Sequence, residues 1–243
     1  MKTSLFEDRL HALRKRVEPF IKSYGLSWDD LRKFSENHGL GKKHTIYQDE
    51  FIGLPFICTH PLYEKVIKQK KIKILDNGCG LGINTRFLLF DGLQKNQIKA
   101  SELDQKSLDL GFELFRDRNI LDDIFVKSDA KEISNTFSKN SFTVIYNGFL
   151  LHQFKTENDL RIVLEENKKI LAHNGEYFGM TRGTYKQKKF DFVNLDAGKT
   201  RFLVSKEFLA ELLANCGYKN IWIEETTIDD EDQECVIFYY ARI

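Results

Sequence analysis

A glycine-rich stretch at Lys71–Arg86, KIKILDNGCGLGINTR, most constrains what this chain can fold into. Its first part, Ile72–Leu75, is a short apolar run typical of a buried parallel strand. Three glycines then alternate through a tight loop, and a helical pattern begins at Thr85. Because glycine lacks a Cβ atom, such a loop lets backbone approach a ligand, and the next helix presents unpaired N–H groups at its start. The stretch therefore predicts the strand, loop and helix of a nucleotide-type site.

The spacing of these glycines excludes the dinucleotide fingerprint G-x-G-x-x-G. If the fingerprint began at Gly78, its third glycine would be Ile83, and if it began at Gly80, it would be Thr85. The sequence instead has the pattern D-x-G-x-G-x-G. This pattern resembles motif I of the class I S-adenosylmethionine-dependent methyltransferases, in which the loop holds the methionine part of the cofactor. The resemblance implies S-adenosyl-L-methionine as cofactor and contacts to it from Asp76, Gly78, Cys79, Gly80 and Gly82.

Short apolar runs alternate with helical patterns from Lys71 onward, which predicts a parallel sheet with crossover helices. The predicted strands are Ile72–Leu75, Ile98–Glu102, Ile124–Lys127, Thr143–Asn147, Glu176–Thr181, Ile221–Glu225 and Cys235–Ala241. The predicted helices are Thr85–Leu93, Gln105–Arg118, a short one from Lys131, Glu157–Leu171 and Ser205–Cys216. This order matches the fold of the resembled family. It is an α/β fold with a seven-stranded, mostly parallel sheet, helices on both faces and a C-terminal antiparallel hairpin.

The first 60 residues form a predicted helical extension that the resemblance does not cover, and residues 61–243 form the predicted methyltransferase domain. Apolar residues recur at helical spacing from Phe6 to Tyr24. A capping-box pattern at Ser27–Asp30 predicts the start of a second helix. These helices precede the first strand, so the sheet does not need them to form.

An aromatic-rich segment, Tyr47–Tyr63, connects the extension to the sheet. Pro61 suits the first turn of a third helix that ends near Lys70. The segment is predicted either to pack the extension onto the core or to fold over the cofactor as a lid. In the second case Tyr47 and Phe51 would contact the substrate.

Ligands of open α/β sheets bind outside the carboxyl ends of the strands, so the residues that follow each strand are candidates. Two carboxylates, Glu102 and Asp104, stand at the end of the second strand. Either could accept hydrogen bonds from the ribose hydroxyls or complement the N-terminus of the next helix. Leu108 and Gly111 occupy the apolar and small positions that the family tends to place after its ribose-binding acid. This spacing favours Glu102, with Leu103 beside it in the cofactor site.

Asp129 and Ala130 follow the third strand. In the resembled family an aspartate at this place accepts a hydrogen bond from the adenine amino group, which implies that both residues contact the cofactor. The alternative is that Asp129 is the N-cap of the next helix.

The fourth strand ends at Asn147, Gly148 and Phe149. The family's modifiers of exocyclic amines have an Asn-Pro-Pro-aromatic loop here, so this departure argues against methylation of adenine N6 or of glutamine amides. The resemblance implies that Asn147 contacts the cofactor and Phe149 the substrate.

Two further residues are candidates for the acceptor side. His152 resembles a histidine often found after this strand in small-molecule methyltransferases, which implies a general base for a hydroxyl substrate. The alternative is a structural polar residue at a helix start. Arg182 follows the fifth strand and begins a cationic segment, and it could bind an acidic substrate or simply be solvated.

Composition limits the remaining possibilities. The net charge of +1 provides no global field that attracts nucleic acid or an anionic membrane. The four cysteines form no C-x-x-C pair, and no metal site is expected. No signal peptide or apolar stretch of spanning length is evident, so a cytoplasmic location is expected. We therefore predict O- or N-methylation of a small molecule. An RNA- or protein-modifying methyltransferase, or a cofactor-binding subunit without activity, remains the alternative.

Overall fold

The computed structural model describes residues 5–40, 53–184, 191–194, 200–229 and 234–243. Strands β1 to β9 span, in chain order, Ile74–Asn77, Ile98–Glu102, Phe125–Lys127, Phe142–Gly148, Leu171–Thr184, Asp191–Asn194, Thr200–Leu203, Lys219–Asp229 and Glu234–Arg242. Seven of them form one sheet in the order β3-β2-β1-β4-β5-β9-β8. In it β1 to β5 run parallel, whereas β9 is antiparallel to both of its neighbours. The predicted fold class is therefore confirmed.

Helices cover both faces of this sheet. Helices α1 to α9 span Leu5–Ser23, Trp28–His38, Tyr63–Ile67, Ile83–Phe90, Gln105–Phe115, Arg118–Leu121, Ile133–Thr136, Glu157–Ile170 and Lys206–Asn215. Apolar side chains of α1, α2, α4 and α5 share one core with the sheet, and those of α7, α8 and α9 share the other. Among the described residues, no helix is both long and apolar enough to cross a membrane.

Three local features differ from the sequence prediction. The helix predicted over Gln105–Arg118 ends at Phe115, because Arg116 takes a left-handed φ of 54° and closes it as a C-cap. The fifth strand, predicted from Glu176, begins at Leu171 in the structure, and its pairing with β4 shifts register around Asn174, which has a left-handed φ of 59°. A small antiparallel pair, β6 and β7, was not predicted. All three depend on backbone geometry that apolar periodicity does not report.

The N-terminal extension packs directly against the predicted methyltransferase domain. The ring of Phe20 in α1 contacts Phe87 in α4 at 5.4 Å and Phe115 in α5 at 6.1 Å between ring centroids. A 3₁₀ turn at Phe56–Thr59 covers β5, where the Thr59 hydroxyl lies 3.9 Å from the sulfur of Met180. The division of the chain after residue 60 stays a prediction.

Candidate cofactor site

The loop between β1 and α4 bends over the end of β2. The backbone N–H of Gly78 donates to the carbonyl of Ser101 at 2.8 Å. Gly78, Gly80 and Gly82 have φ angles of 80°, 55° and 71°, in the left-handed region that favours glycine. A Cβ atom at Gly82 would lie 2.4 Å from the ring of Phe125. The shape of the loop therefore requires glycine at these positions.

The two carboxylates at the end of β2 have different partners. Glu102 accepts from the backbone N–H of Gly80 at 2.9 Å and from that of Asp104 at 3.1 Å. Asp104 is the N-cap of α5, where it accepts from the N–H of Lys106 at 3.1 Å and the hydroxyl of Ser107 at 2.9 Å. A carboxylate has about four lone-pair positions, so Glu102 retains the capacity to accept two more hydrogen bonds.

Asp129 is also an N-cap. One of its oxygens accepts from the backbone N–H of Lys131 at 2.9 Å, at the start of the 3₁₀ turn Ala130–Glu132. The second oxygen has no recorded partner among the described residues, so the capping role and a ligand contact are compatible. Leu103 and Ala130 line the same cavity as this aspartate and provide apolar surface there.

A cavity of about 510 Å³ lies at the carboxyl ends of β1 to β4. This volume falls within the range of small-molecule sites, about 300–1,000 Å³. The cavity brings together seven of the predicted residues, Gly78, Gly80, Glu102, Leu103, Asp129, Ala130 and Phe149. It is also lined by residues that were not predicted, among them Asn77, Ser128, Leu150, Gln153 and Phe154. Leu150, Gln153 and Phe154 reach the cavity because the turn after β4 folds back, and we find no sequence signal for that.

Asn147 lies beneath this cavity rather than on its wall. Its side-chain amide donates to the carbonyl of Asn77 at 2.8 Å, and its oxygen accepts from Asn167 at 3.2 Å. The Asn77 side chain in turn donates to Asn167 at 2.9 Å and accepts from the hydroxyl of Ser101 at 3.0 Å. This buried network ties the ends of β1, β2 and β4 to α8. The structure therefore gives Asn147 a supporting position, with Gly148 at the cavity instead.

Asp76 is also buried beneath the loop and does not line the cavity. Its Oδ2 accepts from the hydroxyl of Thr85 at 2.7 Å, whereas its Oδ1 has no hydrogen-bond partner. Burial raises the pKa of the Asp76 carboxyl to about 7, with a smaller contribution from the charge of Glu102. The hydrogen bond from Thr85 lowers the pKa and only partly offsets burial.

A second, smaller cavity of about 40 Å³ adjoins the first at Gly148 and Phe149. Cys79 lines it together with Phe56, and burial raises the pKa of its thiol, which keeps the thiol neutral. Phe149 has a left-handed φ of 55°, and its ring meets that of Phe56 edge-on at 5.2 Å. A non-glycine residue in this region is a common feature of functional sites. Its backbone N–H donates to the carbonyl of Met180 at 2.8 Å and holds it there.

His152 is buried beside these cavities, and both ring nitrogens have partners. Nε2 lies 2.7 Å from the side-chain nitrogen of Gln153, and Nδ1 lies 3.4 Å from the hydroxyl of Thr181. Because that hydroxyl donates to the carbonyl of Arg182 at 3.3 Å, it accepts from the histidine, which assigns the ring proton to Nδ1. The lone pair on Nε2 is thus covered by Gln153, which lines the large cavity.

Arg182 forms an ion pair with Glu234 and is not an isolated cation. The Glu234 side chain is only 3% exposed, and the Nε of Arg182 is buried without a hydrogen-bond partner. The pair is formally neutral, which differs from the solvated cation that the sequence allowed. Tyr47 and Phe51 lie outside the described residues, so their predicted substrate contacts stay predictions.

The raised pKa of Asp76 predicts a pH-dependent stability. Between about pH 4 and pH 7 the folded state retains a proton that the unfolded chain has lost, so this group stabilises the fold less as pH rises. Asp76→Asn abolishes the titration. The unfolding free energy of the variant minus that of the wild type should therefore increase by about 2–3 kcal/mol from pH 5 to pH 8, at about 1.4 kcal/mol per unit of pKa shift.

Chemical denaturation at both pH values measures this difference. Asp123→Asn is the matched control, because that carboxylate is exposed and its pKa is lowered, so it stays ionised over this range. A difference for Asp76→Asn that does not change with pH would contradict the assignment.

Comparison with known proteins agrees with this geometry. Residues 75–179 match a family model described as a methyltransferase domain. Methyltransferase trt5 from Aspergillus terreus is 33% identical over 124 residues, which cover 49% of this chain and 44% of that protein. O-methyltransferase atr3 from Stereocaulon alpinum is 30% identical over 106 residues, which cover 42% of this chain and 31% of that protein. The matches thus span less than half the length of these relatives.

The solved structures extend the likeness to the fold. An S-adenosylmethionine-dependent methyltransferase from Mesorhizobium loti superposes with a TM-score of 0.56 at 15% identity, covering 75% of this chain and 97% of that one. Residues 75–179 thus match a methyltransferase domain, and the motif and the fold of the chain are similar to those of the class I, Rossmann-like family of S-adenosylmethionine-dependent methyltransferases.

Proposed function

We propose that this protein transfers a methyl group from S-adenosylmethionine to an oxygen or nitrogen atom of a small molecule. The observation that carries the proposal is the Glu102 carboxylate on the wall of the large cavity, oriented by the N–H of Gly80 in the glycine loop. A carboxylate with spare acceptor capacity fits the paired hydroxyls of a ribose. The relatives named as methyltransferases, one of them an O-methyltransferase, support the reaction class.

The residues that line the cavity fit the cofactor. Glu102 would accept from the ribose hydroxyls, and Gly78 and Gly80 leave room for its methionine part. Leu103 and Ala130 would contact the adenine ring, with Asp129 accepting from the amino group. When bound, the cofactor supplies an electrophilic methyl group on a positively charged sulfur.

The acceptor should approach through the smaller cavity. Phe149 lies where the two cavities meet, and its edge-on contact with Phe56 gives this passage apolar walls. Displacement chemistry depends on alignment and on exclusion of water, both of which rigid aromatic side chains provide. We assign Phe149 to the substrate side for this reason.

Arg182 is the second candidate for the substrate side. It lies on β5 two residues beyond Met180, whose carbonyl holds Phe149. Because Glu234 neutralises its charge, the pair suits an uncharged polar group of the acceptor better than a second carboxylate. Tyr47 and Phe51 would complete this side if the segment before β1 acts as a lid.

The proposal predicts different effects for the two carboxylates of β2. Glu102→Ala should weaken binding of S-adenosylhomocysteine by about 1–3 kcal/mol, because two hydroxyls lose a charged acceptor. Asp104→Ala should weaken it less but lower stability by about 1 kcal/mol, because α5 loses its N-cap. Isothermal titration and thermal melting of both variants measure the two effects. The opposite ranking of affinities would assign the ribose to Asp104.

His152 is the candidate base if the acceptor is a hydroxyl. In that case His152→Ala should lower turnover about 10²–10⁴-fold, with affinity for S-adenosylhomocysteine unchanged. The matched control is His152→Asn, whose amide can replace the Nδ1–H donor to Thr181 but cannot take up a proton. The rate of methyl transfer to hydroxyl acceptors, measured for both variants, would distinguish a general base from a positioning residue. Loss of activity in both variants would support a general base, whereas activity retained in His152→Asn would make His152 a positioning residue.

A further inference from the structure

One fully buried cation lies directly beneath the glycine loop and takes no part in the chemistry proposed above. Arg86, in the first turns of α4, is 1% exposed. Its Nη1 donates to the carbonyl of Leu81 at 2.7 Å and to that of Gly82 at 3.2 Å. Both carbonyls belong to the end of the loop whose earlier part lines the cavity. The guanidinium therefore fixes the loop from its inner side.

The other edge of the same guanidinium is fixed as well. Nε and Nη2 of Arg86 donate to the two oxygens of Asp117 at 2.8 and 2.9 Å, a bidentate pair. Asp117 lies in the short link between α5 and α6 and is 5% exposed. The ion pair thus joins the loop to a part of the fold that is remote in sequence.

Aromatic rings enclose the guanidinium. The rings of Phe112, Phe115 and Phe125 lie 5.4, 4.6 and 4.8 Å from its central carbon, within the range of cation–π contacts. Tyr24 of the N-terminal extension packs edge-on against Phe115 at 4.9 Å. The position of the cation is therefore determined by α5, β3 and the turn that follows α1.

The loop packs closely against this cluster at two glycines. A Cβ atom on Gly111 in α5 would lie 2.3 Å from the carbonyl oxygen of Leu81. A Cβ atom on Gly82 would lie 2.6 Å from Nη1 of Arg86. The Leu81 carbonyl thus lies between the backbone of α5 and the guanidinium, so this part of the loop is contacted on both sides.

Stability alone does not account for such a pair. Removing two charges from water costs several kcal/mol per ion, and well-packed apolar side chains in their place are often neutral or stabilising. We propose that Arg86, locked by Asp117, is a positioning residue that preorganises the glycine loop for the cofactor. This inference rests on the proposed function for the identity of the ligand, but the order of the free loop is a property of the chain alone.

The test removes both charges together, so that no buried charge is left unpaired. Arg86→Met/Asp117→Val should melt close to the wild type. Its affinity for S-adenosylhomocysteine should fall about 10-fold or more, because the loop must then be ordered on binding. In the absence of ligand, amide hydrogens of residues 80–83 should exchange faster than in the wild type.

A control removes an ion pair of a buried carboxylate with a more exposed arginine, at the opposite end of the strands. Glu176, at the start of the regular β5 ladder, pairs with Arg242 at the end of β9. Glu176→Gln/Arg242→Met should change stability but neither the affinity for S-adenosylhomocysteine nor the exchange of residues 80–83. If Arg86→Met/Asp117→Val does not fold, Arg86→Lys replaces it, since an ammonium lacks the planar fork that donates to both oxygens of Asp117 while it also donates to the two carbonyls.

Affinity within twofold of the wild type and unchanged loop exchange would overturn the positioning role. If the wild type itself fails to bind S-adenosylhomocysteine, the proposed function fails. The exchange comparison still decides the positioning role in that case, because it needs no ligand.

Discussion

The hydrogen bonds from Arg86 to the carbonyls of Leu81 and Gly82 determine where the glycine loop lies, and the rest of the site depends on that position. With the loop there, the N–H of Gly80 points at Glu102 and fixes one oxygen of its carboxylate. The second oxygen is fixed by the N–H of Asp104, which itself caps α5. A buried cation on one side of the loop thus orients an acceptor-rich carboxylate on the other.

The buried side chains beneath the cavity are held by a network of uncharged groups. Beneath the loop, Asn77, Asn147 and Asn167 satisfy one another without any net charge. Buried polar networks of this kind rigidify a site when every member is paired. Asp76 is the exception, since one of its oxygens is unpaired and its raised pKa moves its proton loss close to neutral pH. The floor of the cavity is therefore close to neutral, while the charged groups that line the cavity are carboxylates such as Glu102 and Asp129 together with Lys131 and Lys155.

The sequence was sufficient to predict the parts of the site that depend on backbone conformation and on the spacing of nearby residues. The positive φ angles of Gly78, Gly80 and Gly82 follow from the need for a tight loop, and Asp104 and Asp129 stand where helix starts need caps. The sequence did not predict the features of the site that depend on packing between residues far apart in the chain. Arg86 looks like an ordinary helix cation until Phe112, Phe115 and Phe125 enclose it. The inward direction of Asn147 depends on α8 twenty residues later, which no strand pattern reveals.

The central claim is that this loop and carboxylate form a site for S-adenosylmethionine and not for a dinucleotide. A calorimetric titration of the whole protein with S-adenosylhomocysteine, and separately with NAD, tests it most directly. The account predicts saturable binding of S-adenosylhomocysteine and no heat of binding with NAD. Binding of NAD without any response to S-adenosylhomocysteine would contradict it.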